Sequence, residues 1–102
     1  MSEVAGKWDI VISVPMNKVH NLLEIAVDGD ALTGSLTDPP TGNVSELTNG
    51  KVDGDTFSFE STVGSPFGPL AIVMSLKLNA DGTILGTSKT KMGTFKVKGS
   101  RV

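Results

Sequence analysis

Cysteine and tyrosine are absent from the 102 residues, and histidine and tryptophan occur once each. Without cysteine there is no disulfide framework and no thiolate metal site. With His20 as the lone imidazole, a transition-metal centre lacks ligands. No metal or cofactor is expected. An excess of basic charge is missing too, since the formal net charge is −2. A nucleic-acid partner is therefore not expected. No apolar run approaches the roughly 18 residues that a spanning helix needs. Met1-Ser2-Glu3-Val4-Ala5 has no basic stretch leading into an apolar one, so a secretion signal is not expected. The expectation is one soluble, cytoplasmic domain across 1–102 with no membrane partner.

What the chain has is turn chemistry. Asp28-Gly29-Asp30, Asp53-Gly54-Asp55 and Asp81-Gly82 read as tight turns, because Asp and Gly tolerate the positive φ of hairpin connections. They alternate with longer, proline-containing loops around Pro15-Met16-Asn17, Asp38-Pro39-Pro40-Thr41-Gly42 and Ser65-Pro66-Phe67-Gly68-Pro69. Successive connections in an up-and-down sheet fall at opposite ends. One end is then knitted by tight turns, and the other carries the bulky loops.

Between the turns, apolar residues recur with period two. Trp8, Ile10, Ile12 and Val14 share a face, as do Leu23, Ile25 and Val27 in a second strand over 19–28. Further strands are read over 31–38, 44–52, 56–63, 70–78, 83–90 and 94–101. The fourth is the weakest, because Asn49-Gly50 inside it is itself a hairpin-turn signal. The segment 17–27 fits neither period cleanly, and a helix competes there. Gly34 and Gly86 within strands read as bends or bulges of a tightly curved sheet. Eight short strands predict an all-β fold: an eight-stranded antiparallel up-and-down (meander) barrel with a closed floor and an open mouth.

Gly6-Lys7-Trp8 opens the first strand, and Arg101 ends the last. In a closed meander these strands are antiparallel neighbours, so the guanidinium is expected over the indole face at the floor. Gly6, Trp8, Arg101 and the strand order resemble the calycin superfamily of lipocalins, fatty-acid-binding proteins and avidins. There a Gly-x-Trp on the first strand packs under a basic residue of the last. The chain departs from that pattern in being short, in lacking a C-terminal helix, and in lacking the Thr-Asp-Tyr of lipocalins. The resemblance implies a lipocalin-like barrel whose mouth admits a small, largely apolar molecule.

The expected ligand-binding residues are Met16, Phe57, Phe59, Phe67, Met74 and Phe95, being the loop-end and inward apolar side chains. Pro39, Pro40, Pro66 and Pro69 join Met16 and Phe67 at the mouth. An enzyme of isomerase, lyase or cyclase type is the alternative, with His20, Glu46 and Lys89 as candidate catalytic groups. Parity turns His20, Glu24 and Glu60 outward and leaves Glu46 undecided. A third reading is an accessory subunit of a larger enzyme. Leu22, Val11, Ala71 and Val73 lie opposite the inward set and point to a homodimer. Lys89, Lys91, Lys96 and Lys98 alternate as a solvated strand face does.

Overall fold

In the computed structural model, which describes residues 4–14, 17–39, 42–65, 68–91 and 93–102, every regular element is a strand. They are β1 Gly6–Val14, β2 Asn17–Asp28, β3 Ala31–Asp38, β4 Asn43–Glu46, β5 Thr48–Asp53, β6 Thr56–Ser65, β7 Gly68–Leu78, β8 Ile84–Thr90 and β9 Gly93–Arg101. Strands consecutive in the chain pair antiparallel, except that β4 and β5 do not pair with each other and both pair with β3. The sheet closes because β1 also pairs with β9, from Trp8 opposite Arg101 to Ser13 opposite Lys96. β4 and β5 occupy one place in the circuit, so the result is an eight-stave antiparallel meander barrel, the fold that the sequence predicts.

Period-two patterning builds the core. Trp8, Ile10 and Ile12 are buried while Lys7, Asp9 and Ser13 face solvent. Leu23 and Ile25 from β2, Phe57 and Phe59 from β6, and Ile72, Met74 and Leu76 from β7 meet them inside the barrel. Each such side chain stabilises the fold by about 1.5–3 kcal/mol on burial. The segment that helix competes for is one twelve-residue strand, bonded to β1 and to β3. Residues 17–25 pair with β1 and residues 22–28 with β3, so ladder bonding to one neighbour or the other holds the strand along its whole length.

The Asn49-Gly50 pair is not a turn. Asn49 takes φ 51° and the register with β6 shifts between Thr48 and Lys51. This is a bulge, and it inverts the parity of the stave. Before it, Ser45 and the buried Leu47 face inward; after it, Val52 packs on the core. The bulge is pinned from β6: the Asn49 side-chain amide donates to Glu60 Oε2 at 2.8 Å, and the Thr48 hydroxyl donates to the Glu60 carbonyl at 3.2 Å. Gly34 and Gly86 mark close approaches between strands. A Cβ at Gly34, whose φ is +151°, would collide with the Glu24 carbonyl; one at Gly86 would collide with the Ser75 carbonyl.

Candidate functional site

The two ends of the barrel differ as the turn pattern predicts. At the tight-turn end, Trp8 is fully buried and its indole Nε1–H donates to the Val4 carbonyl at 2.9 Å. Arg101 lies over the ring, 4.2 Å from guanidinium carbon to ring centroid, and donates to the Ala5 carbonyl at 2.9 Å. Val4 is itself 1% exposed. Gly6 leaves room for this packing: a Cβ there would stand 2.7 Å from Arg101 Nη1. The floor is sealed by a stacked cation and a tethered N-terminal segment.

At the loop end the side chains leave a cavity of about 220 Å³. Its lining comes from the loop-proximal parts of seven strands. β1 supplies Ile12, β2 Val19 and Asn21, β3 Leu36 and Asp38, and β4 Asn43 and Ser45. β7 supplies Leu70 and Ile72, β8 Ser88 and Thr90, and β9 Phe95. Ile12 lies four residues from Trp8, or about 13 Å along the strand. The space between them is filled by the core.

Two polar side chains sit deep in this wall. Asn21 is 7% exposed and Ser88 is 2% exposed. No hydrogen bond within the protein ties either side chain among the described residues, and no fully enclosed polar side-chain atom lacks a partner. Their polar atoms therefore face the open volume of the cavity. The third buried polar residue, Ser61, is satisfied elsewhere, since its hydroxyl donates to the Glu46 carbonyl at 3.0 Å.

Of the expected ligand-binding residues, Phe95 lines the cavity. Met74, Phe59 and Phe57 do not. Met74 pairs with Ser88 and Phe59 pairs with Met74, so both lie behind the lining, fully packed. Phe57 sits lower, opposite Leu76. Met16 and Phe67 lie outside the described residues. Asn21 and Ser88, which no chemical motif signals, were legible only by parity: Asn21 shares the face of Leu23 and Ile25, and Ser88 that of Ile84.

The candidate catalytic groups stand apart from the cavity. His20 is exposed on the outer wall, its Nδ1 3.7 Å from Asp9 Oδ1. Glu46 and Lys89 are also exposed. They face outward from β2, β4 and β8, away from the barrel interior, so they do not converge on one reacting atom. Leu22, Val73, Val44 and Leu85 are outward apolar residues, 41–63% exposed. Lys98 separates Val11 from Leu85 along the outer face. Two wider, shallow depressions of about 400 and 490 Å³ lie on that outer wall, beside Lys98 and Lys77 respectively.

No protein-family model, curated protein or solved structure matches this chain.

Proposed function

We propose that the chain is a calycin-like binding barrel that takes up one small, largely apolar molecule through its loop end. The observation that carries this reading is the cavity itself: about 220 Å³ of space opposite a sealed floor, with Asn21 and Ser88 turned into it. Apolar walls with a few placed polar groups are the general form of a small-molecule site. The calycin part is supported by Gly6, Trp8 and Arg101, which make the stacked floor expected of that group. The volume sets the scale of the ligand. An apolar cavity of about 150 Å³ holds benzene, so this one suits a single substituted ring or a short branched chain.

Native mass spectrometry of the protein as purified tests the reading, together with thermal shift against a panel of single-ring compounds. A bound mass lost on denaturation, or a raised Tm, supports it. A ligand at one hundred times its Kd stabilises by about 2.7 kcal/mol, which is a rise of roughly 10 °C or more for a domain of this size. Ser88→Phe fills the cavity and should abolish the shift while leaving the fold intact. A panel that never moves Tm, with no bound mass, would refute the binding reading.

A further inference from the structure

We infer, resting on the binding reading above, that the ligand enters polar group first. Its leading end carries a group that both donates and accepts hydrogen bonds, of which a carboxamide is the simplest, and Asn21 and Ser88 hold that group at the base of the cavity. Both side chains line the cavity and are more than nine-tenths buried. Neither makes a hydrogen bond within the protein among the described residues. Register gives their depth. Asn21 lies between Val19 and Leu23 on the inward face of β2, opposite Ile10 of β1. Val19 is 36% exposed, whereas Leu23 and Ile10 are fully buried. Asn21 is thus the deepest residue that β2 gives to the lining, resting on packed core. Ser88 stands opposite Met74, which is also fully buried. Above Met74 on β7 come Ile72 and then the half-buried Leu70. The cavity therefore has free polar atoms at its base and apolar side chains, Val19 and Leu70, nearer its rim.

The Asn21 amide offers two donors and an acceptor, and the Ser88 hydroxyl offers one donor and acceptor lone pairs. A carboxamide offers the same set as Asn21. The two amides can pair N–H to C=O in both directions, and the ligand carbonyl keeps a lone pair for the Ser88 hydroxyl. Asn21 and Ser88 stand on β2 and β8, three staves apart, and border one volume. A head group between them is therefore held from two walls, with Leu36 and Ile72 as apolar sides. A hydrocarbon leading end displaces water from these polar atoms and returns no hydrogen bond, which loses affinity. The loss is larger where the atoms are shielded from solvent, as they are at this depth. A ligand turned ring-down leaves the same atoms unanswered and places its own polar group at the rim. The site thus reads both the head group and its direction.

Benzamide and toluene test this on the whole chain, with affinities from calorimetry or ligand-observed NMR in the unaltered protein, Asn21→Leu and Ser88→Ala. Asn21→Leu should weaken benzamide at least about tenfold, equivalent to ~1.4 kcal/mol, and leave toluene unchanged. Ser88→Ala removes only a hydroxyl and should weaken benzamide in the same selective way, so the test survives if Asn21→Leu fails to fold. N,N-Dimethylbenzamide, which accepts but cannot donate, should bind more weakly than 4-methylbenzamide, whose added methyl points to the rim. Intermolecular NOEs should connect the para proton of benzamide to the methyls of Val19 and Leu70. A para proton that contacts Leu23 or Met74 instead would overturn the orientation. Equal losses for toluene and benzamide, or unchanged benzamide affinity in the folded variants, would overturn the anchoring. Toluene binding without benzamide binding would overturn this proposal and leave the pocket standing. If neither compound binds, the binding reading fails and the proposal falls with it.

Discussion

Arg101→Ala is the sharpest test of how the floor is built. The side chain makes two interactions that the variant loses: the stack at 4.2 Å over Trp8 and the hydrogen bond to the Ala5 carbonyl at 2.9 Å. A cation over an aromatic face is worth about 0.5–2 kcal/mol. A charged hydrogen bond adds about 1.5–3 kcal/mol where it is desolvated, and much less at an exposed site such as this one. The expected loss is about 1–2 kcal/mol, since solvent discounts both contacts. For a domain of this size that lowers Tm by roughly 4–16 °C. Trp8 is the only tryptophan, so its emission reports the floor alone. The spectrum should move to the red as the fully buried ring gains contact with water. Arg101→Lys keeps the charge but not the planar stack, and should fall between the two. Gly6→Ala should reproduce much of the effect from the other side, because its Cβ would displace Arg101 Nη1. Equal Tm and unchanged emission in Arg101→Ala would refute the view that the stack holds the closing strands together.

Three further outcomes are expected, besides those for the cavity. Gly34→Ala should destabilise by about 3 kcal/mol or more, read by denaturant unfolding, because the new methyl meets the Glu24 backbone and the φ of +151° disfavours a side chain. Asn49→Ala should cost about 1 kcal/mol by the same assay, through loss of the bond to Glu60 and of a residue suited to positive φ. The Thr83 hydroxyl, then its backbone N–H, hold the Asp81 carboxyl below its ordinary value of 3.8. A lowered folded-state pKa contributes stability above the unfolded value, lost as pH falls through the folded one. The stability gap between the protein and Asp81→Asn should be constant at neutral pH and shrink below pH 3.8. A gap that is flat from neutral to acid pH would show that the charge of Asp81 does not matter.

The sequence alone determined the all-β class, the meander order and the difference between the two ends. Those follow from local causes: Asp-Gly at tight turns, proline in the longer loops, and period-two burial along Trp8, Ile10 and Ile12. The meeting of Trp8 and Arg101 was also legible, because closure of a meander leaves the first and last strands no other neighbours. The face of Glu46 was not legible. A bulge three residues on, at Asn49, inverts the parity of its stave, and a bulge looks like a turn signal until its partners are known.

The tertiary structure alone decided which inward residues line the cavity and which pack beneath it. The reason is stagger. From Ile12 at the cavity, cross-strand partners run through Val97, Gly86 and Leu76 to Phe57, beside the tight turn at Asp53–Thr56. Rows of a closed, tilted sheet therefore run from the mouth at one stave to the floor at another. Period two tells which side chains point inward. Their height in the barrel depends on register summed around the whole circuit, and that is why Asn21 and Ser88 reach the cavity while Phe57 does not.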